Sequence, residues 1–157
     1  MVEISGPGRC PVPGLLKNFY MKKIISAAIV VSVLFITGCS KSPDNITETL
    51  PTAVTIVSSG VFSSNAHTTS GTVKVVIEAS GKKFLVFENF RTDNGPDLKV
   101  WLSPNNSGSP YQSLGNLKAV SGNFSYELDA SINYTVNNRV LIWCKAFSVL
   151  FGHAILQ

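Results

Sequence analysis

The chain of 157 residues is 45% hydrophobic and 14% charged, with a mean hydropathy of +0.23, which excludes a disordered polyelectrolyte and leaves room for one modest domain. Residues 1–38 hold four Lys and Arg against one Glu, whereas residues 39–157 hold nine against eight, so the net charge of +4 belongs mostly to the first segment. This distribution removes the main support for nucleic-acid binding, and we expect no nucleic acid among the partners.

Residues 21–38 have the pattern of an export signal. Met21 is followed by Lys22 and Lys23, and then by an uncharged run of 14 residues over positions 24–37. A membrane-spanning helix needs about 20 apolar residues, whereas the core of a signal peptide needs roughly 7–15, so the length disfavours the alternative of a membrane helix. Residues 1–20 fit neither a signal nor a domain, and we interpret them as an upstream start-site extension.

The apolar run ends in Ile36-Thr37-Gly38-Cys39, which resembles the lipobox of bacterial lipoproteins. The resemblance implies that the Cys39 thiol takes a diacylglycerol and that a peptidase cuts before this residue. Several acyl chains anchor a protein stably, so membrane lipid is the expected partner at Cys39. We therefore expect a lipid-anchored protein of the cell envelope, on the outer membrane in a Gram-negative bacterium, with its domain facing the periplasm or the exterior.

The remaining chain divides into a polar link and a β-rich domain. Residues 39–52 contain Pro43 and Pro51 and no apolar periodicity, which predicts a flexible tether after the lipidated cysteine. Residues 53–157 contain alternating or apolar runs at 73–79, 84–87, 98–103, 124–129, 140–144 and 149–156, separated by clusters of Asn, Gly, Pro and Ser. Period-2 runs without helical periodicity predict an all-β fold, a single antiparallel β-sandwich or barrel-like domain.

Cys144 is the candidate residue for chemistry. Once residues 1–38 are removed and Cys39 is lipidated, it is the one free thiol of the sequence, so an intramolecular disulfide is impossible. One interpretation is a small hydrophobe buried in a core strand. The other is a redox-active thiol or a thiolate ligand to haem iron. Lys145 is not expected to face the thiol, because adjacent strand residues point to opposite faces.

The two histidines of the sequence are His67 and His153. His67 lies in a polar stretch before the first clear strand, where it is either a solvated loop residue or a haem ligand or proton shuttle. His153 lies in the last apolar run, which favours a hydrogen-bonded structural role. No C-x-x-C-H motif is present, so covalent c-type haem is not expected, and neither is a metal site.

A series of short motifs, in order, resembles the DM-thirteen domain over about residues 58–157. The motifs are Phe62, Ala66-His67, Ser70-Gly71-Thr72-Val73, Glu88-Asn89-Phe90-Arg91-Thr92, Asn94-Gly95-Pro96-Asp97-Leu98, Trp101-Leu102-Ser103, Leu114-Gly115-Asn116-Leu117-Lys118, Gly122-Asn123-Phe124-Ser125-Tyr126, Ile142-Trp143-Cys144-Lys145-Ala146-Phe147 and Phe151-Gly152-His153-Ala154. The sequence departs from the family pattern after the histidine, where Thr68-Thr69 replaces an apolar pair.

The resemblance implies a compact β-rich domain of a kind also found beside DOMON domains in animal extracellular proteins. It implies electron transfer through the cysteine that matches Cys144, with His67 as a candidate assistant and a redox partner protein. Two hypotheses follow for the function. One is an electron-transfer module rather than an enzyme that turns over a substrate, and the alternative is a non-catalytic binding or structural module in which Cys144 is core packing.

Overall fold

A computed structural model of the protein describes residues 44–157, so the predicted extension, signal peptide and lipidated Cys39 lie outside the described residues. The described chain consists of nine strands and no helix, which confirms the predicted all-β class. The strands are β1 (Ile46–Thr47), β2 (Val54–Ser64), β3 (Thr69–Glu78), β4 (Lys83–Thr92), β5 (Leu98–Ser103), β6 (Gln112–Asn116), β7 (Ser121–Leu128), β8 (Arg139–Cys144) and β9 (Val149–Ile155). Residues 44–157 accordingly include no helix with the length and hydropathy of a membrane span.

All nine strands belong to one curled sheet in the order β1-β7-β4-β3-β2-β9-β8-β5-β6. Neighbouring strands are antiparallel except β1 and β7, which run parallel. Strand β2 joins the two halves of the sheet, since its first part pairs with β3 and its last part pairs with β9, where Phe62 is opposite Ala154. The result is a half-barrel, within the predicted class of sandwich or barrel-like domains.

The core lies on the inner, concave face of this sheet. Along β3, Val73 and Val75 are completely buried while Lys74 between them is partly exposed, as the period of two in a strand requires. Phenylalanines from several strands meet at the centre: the Phe87 ring stacks on Phe124 with 4.9 Å between centroids and on Phe62 with 5.5 Å. Each such ring pair stabilises the fold by about 0.5–1.5 kcal/mol beyond the contribution of the apolar area that it buries.

Part of the predicted tether is attached to the sheet. Ile46 pairs with Gly122 of β7, and the amide of Glu48 donates to the carbonyl of Asn123 at 2.8 Å. The Glu48 carboxylate accepts hydrogen bonds from Lys118 Nζ at 2.8 Å and from the Ser125 amide at 3.1 Å. Burial raises the pKa of Glu48, but these two hydrogen bonds outweigh it and hold the pKa below its ordinary value. Contacts of the domain thus extend back through the link as far as residue 44.

Replacing Gly122 by alanine should detach β1 from β7. Gly122 has a φ of +119°, and a Cβ there would overlap the carbonyl oxygen of Ile46, whereas Gly115 has a φ of +102° with open space around its Cβ position. Both alanine variants carry backbone strain, but only Gly122→Ala also meets a steric clash. We expect Gly122→Ala to lower the free energy of unfolding by about 1–3 kcal/mol more than Gly115→Ala.

Urea denaturation measures this difference, and hydrogen exchange at the amides of residues 46–48 locates it. Loss of protection there in Gly122→Ala, with normal protection in Gly115→Ala, is the expected result. Equal stability of the two variants would show that β1 contributes nothing to the domain.

Candidate functional site

Four connections meet at the end of the sheet where β8 ends. We call this end the Cys144 rim, and it comprises residues 65–68, 93–97, 117–120 and 145–148. Backbone hydrogen bonds tie the connections to one another and to the strands: Thr92 N to Val120 O at 2.8 Å, Asp93 N to Thr68 O at 3.3 Å, His67 N to Phe151 O at 3.3 Å, Leu117 N to Leu98 O at 2.9 Å and Lys145 N to Asp97 O at 2.9 Å. Segments that are distant in sequence therefore form one continuous surface.

Cys144 lies just inside this rim. It is the last residue of β8 and pairs with Leu98 on one side and Val149 on the other. Its side chain is completely buried and belongs to the apolar core together with Val140 and Ile142, which share its face of the strand. It carries a free thiol. The turn that follows, residues 145–148, is exposed throughout, so the buried sulfur is one residue from the surface.

A haem does not fit at Cys144 in this fold. A thiolate ligand must present its sulfur to an open space large enough for the macrocycle, and the Cys144 side chain has no exposed surface. Among the described residues, no group of three or more His, Cys, Asp or Glu is placed to hold a metal ion. The rim therefore offers a buried thiol without a built cofactor site around it.

His67, the candidate assistant, lies on the same rim but contacts other groups. Its ring stacks on Phe151 with 3.8 Å between centroids, and its Nδ1 is 3.2 Å from Asp93 Oδ2. Both side chains of this pair are well exposed, at 41% for His67 and 53% for Asp93. The structure thus brings His67 to a carboxylate and an aromatic ring that the sequence analysis did not connect with it.

Phe151 links His67 to the strand pair that contains Cys144. A Cβ built on Gly95 would lie 2.8 Å from Leu98 Cδ2 and 3.0 Å from Phe151 Cζ, so both of these side chains reach the backbone of Gly95. Leu98 is in turn the strand partner of Cys144. His67 is therefore separated from the Cys144 strand pair by a layer of buried apolar side chains.

The departure from the family pattern at Thr68-Thr69 has a local explanation. Thr69 is buried, and its hydroxyl lies 3.0 Å from that of Thr92, so each satisfies the other. Gly152 leaves the space that the Thr69 side chain fills, because any Cβ at Gly152 would overlap it. A buried hydroxyl pair thus supports the loop that carries His67.

His153 is hydrogen-bonded, as its sequence position predicts. Its Nδ1 is 2.7 Å from Asn65 Oδ1, which joins β9 to the loop after β2. Burial, together with the positive charge of Arg139, holds the pKa of His153 below its ordinary value. The side chain of His153 thus joins β9 to the loop after β2 on the outer face of the sheet.

Trp143, the neighbour of Cys144 in the sequence, faces the opposite side of the sheet. Its ring stacks on Trp101 with 5.1 Å between centroids, and Trp101 stacks on Tyr111 at 3.8 Å. Gly108 has a φ of +73° and packs against the Trp143 ring, which leaves no room for a Cβ. These aromatic rings cover the outer face of β5 and β8 behind the Cys144 strand.

Comparison with protein-family models places most of the described domain in a family. The family model described as "Electron transfer DM13" matches residues 61–156, a range that includes both His67 and Cys144. No curated protein matches the chain. No solved structure matches it either.

The burial of Cys144 predicts how the domain responds to substitution. Cys144→Ala removes the thiol group, whereas Cys144→Ser replaces it with a hydroxyl that is buried among apolar side chains. Because an unpartnered buried hydroxyl costs about 1–3 kcal/mol, Cys144→Ser should be less stable than Cys144→Ala by that amount. Chemical denaturation of residues 40–157 measures the difference, and equal stabilities would show that the side chain at this position reaches water or a polar partner.

Proposed function

Since this chain belongs to the electron transfer DM13 family, we propose that it is a membrane-anchored electron-transfer module whose redox group is the Cys144 thiol. The observation that carries the proposal is the position of this thiol. Cys144 is the free cysteine of the described domain, it falls within the matched residues, and it immediately precedes an exposed turn. A partner protein has access to this turn without disturbing the strands of the core.

A single thiol transfers electrons by exchange with dithiol proteins. The Cys144 thiolate attacks the disulfide of an oxidised partner, a bond forms between the two sulfurs, the partner's own S–S bond breaks, and its released thiolate takes up a proton. A thiolate of a reduced second partner then attacks the Cys144 sulfur and releases the first partner as a dithiol. The second thiol of that second partner finally releases Cys144 and closes a disulfide, so two electrons have passed from the second partner to the first.

Burial of Cys144 sets a condition on this chemistry. Exchange requires an in-line approach to the sulfur, so the turn at residues 145–148 must open first. Ser148 in this turn has a φ of +54°, a left-handed conformation that is costly for a residue other than glycine. Such strain lowers the free energy needed to open the turn, because opening relieves it.

The complete burial of Cys144 favours a second candidate function. A thiol enclosed by Val140, Ile142 and other core side chains contributes by packing alone. In that case the domain is a non-catalytic binding or structural module of the cell envelope. Reactivity of the thiol in the folded state separates the two functions.

The anchoring part of the proposal concerns Cys39. We propose that residues 1–38 are removed, that Cys39 is acylated, and that the domain faces the periplasm or the exterior from the envelope membrane. The support is the 14-residue apolar run that ends before Gly38-Cys39, together with the attachment of the chain to the domain from Asp44 onward.

Acylation is tested by mass spectrometry of the mature N-terminus. An acylated Cys39 is the expected result, and Cys39→Ala should abolish acylation and release the domain from the membrane fraction. Ser40→Ala, which keeps the cysteine, is the control and should stay membrane-bound. Unchanged membrane association of Cys39→Ala with an intact leader would contradict the proposal.

Reactivity of Cys144 through local opening is tested by varying the strain in the turn. Ser148→Gly relieves the left-handed strain and should slow the reaction of Cys144 with glutathione disulfide, whereas Ser148→Val increases the strain and should speed it. Ala53 has the same φ of +54° far from the rim, so Ala53→Val is the matched control. It should lower global stability without changing the reaction rate in native conditions.

The two candidate functions give opposite results. A rate that responds to position 148 and not to position 53, and that forms a mixed disulfide on Cys144, supports electron transfer by exchange. A rate that follows the free energy of global unfolding in all three variants supports core packing.

A further inference from the structure

We propose that the Cys144 rim lies against the lipid surface, with the ring of Phe147 inserted among the lipid headgroups. The inference rests on the proposed acylation of Cys39 and adds to it a defined orientation of the domain, in which an exchange partner reaches the turn at 145–148 from the membrane surface, after the Phe147 ring has left the headgroups. It is carried by where the chain joins the sheet, by the length of the link, and by the side chains on the rim.

The link from the lipid joins the domain beside the rim. The carbonyl of Asp44 accepts a hydrogen bond from Ser121 Oγ at 2.8 Å, and Ile46 pairs with Gly122. Ser121 is the first residue of β7 and pairs with Arg91 near the end of β4. These residues adjoin the 93–97 and 117–120 connections, so the chain leaves the sheet at the rim end.

The link is too short to let the domain turn its far end to the membrane. Asp44 follows Cys39 by five residues, so the fully extended link reaches at most about 17 Å. Strand β7 has 8 residues and is about 24 Å long, so the opposite end of the sheet lies beyond this reach. A bilayer that holds the acyl chains of Cys39 is therefore nearer to the rim than to the far end.

Phe147 gives the rim a group that fits the membrane interface. It lies in the exposed turn at 145–148, and 70% of its surface is accessible. Most of this ring is open to solvent, and Phe, like Trp and Leu, is a residue type by which interfacial segments enter the boundary between headgroups and acyl chains. Lys145, also exposed in the same turn, is a residue type that places its ammonium group among headgroups while its alkyl stem contacts apolar surface.

The charges of the rim do not select anionic lipid. Most of them are paired: Lys99 with Asp97 at 2.6 Å, His67 with Asp93 at 3.2 Å and Lys118 with Glu48 at 2.8 Å. Among the described residues, Arg91, Lys145 and Asp44 are exposed at the same end of the sheet, where together they leave an excess of one positive charge. We therefore expect the contact to form on zwitterionic lipid and to depend on the aromatic ring.

Fluorescence quenching in vesicles tests the orientation. The full-length chain, processed in its host, is reconstituted into phosphatidylcholine vesicles that contain a lipid with a nitroxide near the headgroup. Phe147→Trp places a probe on the rim, and Val136→Trp places a matched probe on the 129–138 loop at the far end, where Val136 is 61% exposed. The signal of Trp101 and Trp143 is subtracted with the unsubstituted protein.

We expect the nitroxide lipid to quench the probe at 147 at least about twofold more than the probe at 136, because an inserted ring lies about 5–10 Å deep at the interface. Addition of phosphatidylglycerol should leave this difference unchanged. Equal quenching of the two probes, or quenching at 147 only when anionic lipid is present, would overturn the inference. Both positions are exposed, so the substitutions leave the core intact.

Mass spectrometry of the same sample separates this inference from the proposed function. If Cys39 carries no acyl chains, the proposed anchor fails and the orientation fails with it. If Cys39 is acylated and the two probes are quenched equally, the anchor stands and the orientation alone is wrong.

Discussion

The fold depends on strand β2, which pairs with two different strands along its length. Its first part pairs with β3, and its last residues pair with β9, so this one strand closes both halves of the sheet around a common core. The register shift between Ile56 and Ser58 bends the strand within the part that pairs with β3. Gly60 allows the close approach, since a Cβ there would overlap the carbonyl oxygen of Ile155. The loop after β2 is thereby carried to β9, where His67 stacks on Phe151.

The sequence predicts the strands that contain an alternating or a continuous apolar run. Strands β3, β4, β5, β7, β8 and β9 correspond to the apolar or alternating runs. The joining strand β2 was not predicted, because its outer face exposes Ile56 and Val57 and its bulge breaks the period of two. Strands β1 and β6 are short and mostly exposed, so burial leaves no pattern in their sequences. The order of the strands in the half-barrel depends on β1, β2 and β6, so the hydrophobic periodicity of the sequence does not predict that order.

The sequence predicts Cys144 as the candidate residue but does not predict the side chains that surround it. Counting the cysteines identifies Cys144. The residues before it in β8 are Val140-Leu141-Ile142-Trp143, which are apolar on both faces of the strand. The pattern therefore does not predict which face of β8 packs against the core. The Trp101 and Trp143 stack is what covers the other face. The pairing of His67 with Asp93 depends on two loops 26 residues apart that the sheet register brings together. Such contacts are set by topology rather than by local sequence.

Complete burial of Cys144 and a role in electron transfer are compatible in the proposed mechanism, because burial controls which oxidants react. An unpaired thiol in an oxidising compartment is open to mixed disulfides and overoxidation. Every 1.4 kcal/mol needed to open the turn lowers the reactive population about tenfold, so about 4 kcal/mol protects the thiol about a thousandfold against small oxidants. A partner that binds the open turn supplies this free energy from its own contacts and escapes the penalty. The strained backbone of Ser148 raises the free energy of the closed turn, so less free energy is needed to open it. The contacts of the partner can therefore be weaker than they would have to be without this strain.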